Sequence, residues 1–353
     1  MPSTAWVLDN RYELIRPVTG GGQAALWEGR DRRTNQRVAA KMFYPEQDRY
    51  VERERELFSA LRDHHPNVVS LLGTGTHNGG VYHVMSWIEG ASLAQVLERN
   101  AKPYLVQALG WAQQIASALA WIHRHDIIHR DVKPGNLMIT TTQPQRVVLI
   151  DFSISRFTHG TVTLGPPGTP NYAAPEIWTS RRGDHRIDLY SLGCVLYEML
   201  TGDPPFRGSE ETARHHHLRV IPPAPRKCVS SIPQRLDDLT MNLLAKHPAD
   251  RPANADVVVT ELTSIIEEIA RRVDVPDAQQ LTEDLGADAP GSLEDRLRRA
   301  ELIAATGDVP GGARECESVI KECVRQLGPA HELTMKARAT RFTIIARYSG
   351  QDR

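Results

Sequence analysis

Over the first hundred residues the apolar positions come in short runs broken by Gly and Asn; beyond Leu93 they recur every three or four residues. The runs 37–43 (RVAAKMF) and 81–88 (VYHVMSWI) are rich in β-branched and aromatic residues and predict strands. Between them one charged stretch, roughly 48–61, predicts a helix. Segments 105–125, 186–201 and 236–247 carry apolar residues at helical spacing. A strand-rich part followed by a helix-rich part is the pattern of an α+β protein with two packed subdomains. Near Val273 this pattern lapses. Residues 274–291 hold five acidic residues, two prolines and no Lys or Arg, the composition of an extended linker. Beyond it, 293–306, 311–326 and 331–346 form three amphipathic helical patterns separated by Gly and Pro, the grammar of stacked helical hairpins. The expected domains are 6–272, a linker at 273–292 and a helical segment at 293–353.

Composition acts here by exclusion. Hydrophobic residues at 41% and charged residues at 24% argue against disorder. A net charge of −1 over 353 residues gives no reason to expect nucleic acid or an anionic membrane as the main partner. The four cysteines (Cys194, Cys228, Cys316, Cys323) form no Cys-x-x-Cys pair, so reduced thiols are expected. The N-terminus lacks a basic-then-apolar signal pattern, and no apolar run approaches the about 18 residues of a spanning helix. The expectation is a soluble, cytoplasmic protein without a membrane partner.

The densest chemistry is His129-Arg-Asp-Val-Lys-Pro-Gly-Asn136, followed after the apolar run 147–150 by Asp151-Phe-Ser. One carboxylate to take a hydroxyl proton, a cation to neutralise a moving phosphoryl group, and an amide plus a second carboxylate to hold magnesium make a phosphoryl-transfer set. These residues resemble the eukaryotic-type Ser/Thr protein kinases, including the bacterial ones, and the resemblance implies a bilobal kinase fold with a β-rich first lobe and a helical second lobe. On that resemblance Asp131 is the catalytic base, Lys133 the phosphate-facing cation, and Asn136 and Asp151 the metal ligands, with ATP and Mg2+ as cofactors and Mn2+ as an alternative ion. Asp-x-Lys-Pro resembles Ser/Thr rather than Tyr kinases, which implies protein substrates. His129 reads as a packing residue beneath Phe152 rather than an acid–base group.

Val38-Ala-Ala-Lys41 is similar to the strand whose lysine grips the α- and β-phosphates. Its acidic partner would come from the charged helix, where Val51, Glu54, Phe58 and Leu61 share one stripe. Glu54 is therefore preferred; Glu56, about 200° round the helix at ~100° per residue, is the alternative. The family's glycine-rich loop is represented by Thr19, Gly20, Gly21, Gly22, Gln23 and Ala24, keeping only the middle glycine of the usual three. Glycine there lets backbone N–H groups approach phosphates without an intervening Cβ. Ser153 replaces the Gly of Asp-Phe-Gly. The resemblance puts the adenine against Met85, Ser86 and Ile88, with Ala39 above the ring and Leu137 below it.

Between Asp151 and Ala174-Pro-Glu176 lies an activation segment, in which Thr158, Thr161 and Thr163 are candidate phosphosites for Arg130 to bind. The alternative is that Arg130 pairs with a carboxylate. Thr169 resembles the threonine that bridges Asp131 and Lys133. Glu176 is expected to pair with Arg251, and Asp188 to accept hydrogen bonds from the catalytic-loop backbone. His215-His-His217 reads as a solvated helix rather than a metal site. Cys316 and Cys323 read as packing residues of one helical face. The stretch around Gln326-Leu-Gly-Pro-Ala-His resembles long-period tetratricopeptide repeats, which implies docking of a partner or self-association through 293–353. A helical extension without a partner is the alternative. The competing function is a pseudokinase scaffold that binds nucleotide without turnover, suggested by the altered glycine loop and Ser153; a small-molecule kinase of related fold is a third reading.

Overall fold

The computed structural model describes residues 6–20, 24–44, 64–99, 103, 105–142, 145–152, 156–157, 169–179, 183–272, 293–305, 309–328, 333–334, 336–338, 340–341 and 344. The chain divides into two compact units, 1–265 and 266–353. This division falls inside the helix Ala255–Arg272. Ile265 is the last of that helix's residues buried in the first unit, after Val258 and Leu262.

In the first unit, β1 (Val7–Leu8), β2 (Tyr12–Gly20), β3 (Ala24–Asp31), β4 (Arg37–Phe43), β5 (Leu71–His77) and β6 (Gly80–Ser86) form one antiparallel sheet in the order β1-β2-β3-β4-β6-β5. Alternation along β4 turns Val38 and Ala40 inward onto Leu8, Tyr12, Leu14, Tyr82 and Val84, and leaves Ala39 and Lys41 on the other face. That face becomes the roof of the site. The charged segment expected as a helix at 48–61 lies outside the described residues.

A short linker, 87–89, leads to β7 (Gly90–Ser92), which pairs with β9 (Leu137–Thr140); β9 in turn pairs with β10 (Val147–Leu149). A Cβ on Gly90 would stand 2.0 Å from the Ile139 carbonyl oxygen, so only glycine allows β7 this close to β9. Ser92 and Gln95 cap α1 (Leu93–Glu98) reciprocally, each side chain bonding the other's backbone N–H. The long helix α2 (Leu105–Arg124) buries Ala108, Ala112, Ile115, Leu119 and Ile122 along one stripe. After β8 (Ile127–Ile128), which pairs with β11 (Arg156–Phe157), come α3 (Pro175–Thr179) and α4 (Arg186–Thr201). In α4 every residue from Ile187 to Tyr197 is buried, so it is the centre of the helical lobe rather than a surface helix. The helices α5 (Glu210–Arg219), α6 (Pro225–Cys228), α7 (Gln234–Leu243) and α8 (Ala255–Arg272) complete this lobe. Gly193 of α4 has no room for a side chain, since its Cβ would meet Leu243 at 2.8 Å.

His217 corrects the sequence expectation of a solvated histidine run. It is fully buried and shares a 2.8 Å hydrogen bond with the Tyr190 hydroxyl, because α5 turns one face onto Tyr190 and Phe206. Among the described residues no cluster of three or more His, Cys, Asp or Glu is arranged to hold a metal.

The second unit contains α9 (Leu293–Ala305), α10 (Val309–Leu327) and further helical residues between 333 and 344. Leu297, Ala300, Cys316, Val319, Cys323, Ala337 and Ile344 form its core, with Cys316 and Cys323 as free thiols. Arg296 Nε bonds Glu315 at 3.1 Å across the helix pair. Among the described residues no helix is long and apolar enough to cross a membrane.

Candidate active site

The loop following β8 is held from beneath by one buried carboxylate. Asp188, at the start of α4, accepts the backbone N–H of His129 at 2.8 Å and of Arg130 at 2.7 Å, and its Oδ2 also meets His123 Nε2 at 2.8 Å. These partners hold its carboxyl below the usual range although desolvation, the largest single influence, pushes upward. Arg130 has φ 69°, a conformation that a residue with a Cβ keeps only when its surroundings enforce it. The two N–H bonds to Asp188 do so. His129 adds a second tie: its Nε2–H donates to the Ile150 carbonyl at 3.1 Å, its Nδ1 accepts from Asp131 N–H at 3.3 Å, and its ring meets Phe152 edge-on at 5.0 Å. Both ring nitrogens of a neutral imidazole are thereby used, and the ring locks the loop to the Asp151-Phe152 segment.

Above this base the polar groups converge. Asp131 Oδ2 lies 2.7 Å from Lys133 Nζ; Lys133 Nζ donates to Thr169 Oγ1 at 2.6 Å, and Thr169 Oγ1 donates to Asp131 Oδ1 at 3.2 Å. Asn136 Nδ2 donates to the Asp131 carbonyl at 2.8 Å and to Asp131 Oδ2 at 2.9 Å, which leaves its amide oxygen as an acceptor. Lys41 of β4 reaches down to Asp151 Oδ1 at 2.8 Å, joining the roof to the floor. Asp151 also has positive φ, 65°, so the turn that presents its carboxylate is a constrained one.

Lys41, Asn136 and Asp151 line a cavity of about 840 Å³ between sheet and helical lobe. Ala24, Ala39, Met85, Ser86 and Ile88 line it as well. Leu137 does not: it is fully buried, and its neighbour Met138 faces the cavity instead, as the alternation along β9 dictates. Sequence reasoning also missed Val18, Leu26, Trp87 and Gln95. The first two were within reach, since they flank the glycine turn on paired strands, and the Ser92-x-x-Gln95 capping signature marks the cavity mouth. Thr19 and Gly20 end β2. Gly21, Gly22, Gln23, Glu54, Glu56, Ser153, Thr158, Thr161 and Thr163 lie outside the described residues.

Away from the cavity, Arg251 and Glu176 make a two-bond pair at 2.7 and 2.8 Å with the Arg251 side chain fully buried. Arg251 Nε also donates to the Ala245 carbonyl at 2.9 Å, and Nη1 to that of Arg186 at 2.9 Å. Every such donor of the fork has an acceptor, the condition for burying a guanidinium.

Chemically, the site offers a largely apolar cavity that also presents one lysine, Lys41, the Asp151 carboxylate and the Asn136 amide oxygen, with the Asp131–Lys133 pair bonded to Asn136. Magnesium is characteristically held by one or two protein oxygens together with phosphate oxygens, and Asn136 with Asp151 is a donor set of that kind. A strand-rich lobe over a helical lobe, with this cavity between them, defines the bilobal kinase fold. The chain belongs to the protein kinase domain family, which it matches over residues 12–263. It is 35% identical over 270 residues to a probable serine/threonine-protein kinase of Clostridium perfringens, covering 73% of this chain and 39% of that protein. It is 33% identical over 322 residues to the serine/threonine-protein kinase PknB of Mycolicibacterium smegmatis, covering 87% of this chain and 49% of the relative. For PknB of Mycobacterium leprae the figures are 35% over 271 residues, 73% and 43%. The chain thus spans less than half the length of these curated relatives.

Proposed function

We propose that this protein is an ATP-dependent serine/threonine protein kinase, acting on hydroxyls of protein substrates. The observation that carries the reading is the Asp131–Lys133–Thr169 triangle, joined through Asn136 to a cavity that Asn136 and Asp151 line. Asp131 orients the acceptor hydroxyl and takes its proton as the oxygen bonds to the γ-phosphorus and the bond to the departing ADP breaks. Lys133 neutralises the moving phosphoryl group, and Thr169 keeps Lys133 and Asp131 in register. Lys41 grips the α- and β-phosphates; its bond to Asp151 is the contact that nucleotide and metal would exchange. Asn136 and Asp151 would hold magnesium, or manganese in its place, which neutralises phosphate charge when bound. Ala39 and Met138 sandwich the purine, and the backbone of 86–88 meets its edge. The Ser/Thr preference is supported by the relatives' names and by Lys133 following Asp131.

Glu54 as the partner of Lys41, and Thr158, Thr161 and Thr163 as phosphosites for Arg130, are proposals of the same standing. So are the boundaries 6–272, 273–292 and 293–353, a cytoplasmic setting, and a tetratricopeptide-like role of 293–353 in docking or self-association. The core shared by α9, α10 and the helical residues after 333 supports a hairpin stack.

The test is incubation with Mg-ATP, wild type against Asp131→Asn, with modified residues mapped by mass spectrometry. Phosphorylated Ser or Thr in the wild type alone supports the kinase; nucleotide binding without transfer in both variants replaces it with a scaffold.

A further inference from the structure

The linker between the lobes carries an arrangement that phosphoryl transfer does not use. Trp87 sits between Ser86 and Ile88, and all three line the cavity. Its indole nitrogen is buried and has no hydrogen-bond partner among the described residues, so no polar bond orients the ring. What lies on the ring is the guanidinium of Arg37, 4.4 Å from the ring centroid. Arg37 opens β4 next to Val38, which pairs with Ser86, so strand register brings it opposite the linker.

The remaining donors of Arg37 reach in two directions. Nε and Nη2 bond Glu28 Oε1 of β3 at 3.0 and 2.9 Å, and Nη1 bonds Glu89. Glu28 is further held by Arg16 of β2 at 2.6 Å. The Glu89 carbonyl in turn accepts from Thr141 N–H at 3.0 Å, just beyond β9 of the helical lobe. One cation therefore bridges the sheet and the far end of the linker while its guanidinium carbon sits over the ring in between. An exposed Arg–Glu pair contributes little by itself. Stacking with bonds on both sides has a different consequence: it restricts the backbone of 86–88 before a ligand arrives.

We propose that Arg37 is a positioning residue for the nucleotide, clamping Trp87 and Glu89 so that the linker backbone is preset for the purine edge. The proposal rests on the reading of the cavity as the nucleotide site. It requires arginine, because a lysine lacks the flat fork that stacks and bonds two carboxylates together.

Adenosine is the discriminating probe, since it is neutral and engages the linker without Lys41 or Asp151. Calorimetric titration of the full chain with adenosine is combined with KM for ATP and kcat. In Arg37→Met, adenosine affinity falls and KM for ATP rises by the same factor, about tenfold, while kcat stays within about twofold. Arg37→Lys recovers only part of the loss. Glu89→Gln, at a side chain 56% exposed, shifts both quantities the same way by about two- to threefold. Unchanged adenosine affinity in Arg37→Met and Glu89→Gln overturns the clamp, as does a fall in kcat without a change in adenosine binding. If the wild type binds neither adenosine nor ATP, the nucleotide reading of the cavity fails and the clamp falls with it; wild-type binding with unaltered variants overturns the clamp alone.

Discussion

Two aspartates, Asp131 and Asp188, serve the same loop from opposite sides. Asp131 lies beside Asn136, which lines the cavity, and is held by side chains: the Lys133 ammonium, the Thr169 hydroxyl and the Asn136 amide. Asp188 lies beneath it, wholly buried, and is held mainly by backbone N–H groups. Side-chain partners can be exchanged for a substrate hydroxyl or a phosphate; backbone partners cannot move without unfolding the loop. The same functional group thus serves transfer at one position and architecture at the other, and the nature of its partners decides which. Arg251 of the Glu176–Arg251 pair is likewise tied to backbone, at the Ala245 and Arg186 carbonyls, and belongs with Asp188; Lys41–Asp151, a bond between side chains, belongs with Asp131.

The sharpest way to break this comparison is to neutralise one member of each set. Asp131→Asn is expected to lower phosphoryl transfer by about 10²–10⁴-fold while nucleotide affinity stays within a few-fold, read by radiolabel transfer and calorimetry. Lys41→Met is expected to cost about 10²–10³-fold in the same assay. Arg251→Met, by contrast, leaves Glu176 half of a broken buried pair and is expected to lose about 3–5 kcal/mol of stability in urea unfolding. A loss of transfer at unchanged stability in that variant would erase the distinction.

The floor of the cavity allows a finer version. Leu137→Ala opens a void in the core and should cost about 2–5 kcal/mol of stability. Met138→Ala, next to it but facing the cavity, should instead weaken adenosine binding by up to about tenfold, with a much smaller change in the urea midpoint.

A last effect concerns pH. Burial, with Lys246 nearby, lowers His217 to about 4, and burial with Lys41 nearby does the same for His83. Each stays neutral in the folded protein down to about pH 4 but becomes charged near pH 6.5 when unfolded. Their contribution to stability is therefore complete above about pH 6.5 and is lost as pH falls toward 4. Comparing urea unfolding at pH 7.5 and 5, each is expected to account for about 2 kcal/mol of the loss. His217→Asn keeps an acceptor for the Tyr190 hydroxyl and should remove its share; an unaltered pH difference in that variant would refute the assignment.

Much of the site is legible in the sequence, because its chemistry sits in contiguous motifs. Asp131, Lys133, Asn136 and Asp151 fall within about two dozen residues, and the functional roles of such spacings are narrow. The pairing of Glu176 with Arg251, distant along the chain, is accessible only through the family resemblance. The exchange of Leu137 for Met138 is not legible, since a strand buried on both sides has apolar residues on each face and no polar alternation to mark the cavity. His217 is misjudged for a related reason: three like residues on a helix carry no information about which face meets Tyr190.

The sequence by itself determined the class of fold, the order of strand-rich and helical parts, and the polar groups that converge on the cavity. These are local properties, set by periodicity and by short motifs whose chemistry demands particular side chains. Which apolar residue lines the cavity, which histidine is buried, and that Arg37 meets Trp87 and Glu89 were decided only in three dimensions. They depend on register and on contacts between segments distant along the chain, where long-range packing rather than local preference selects the partner.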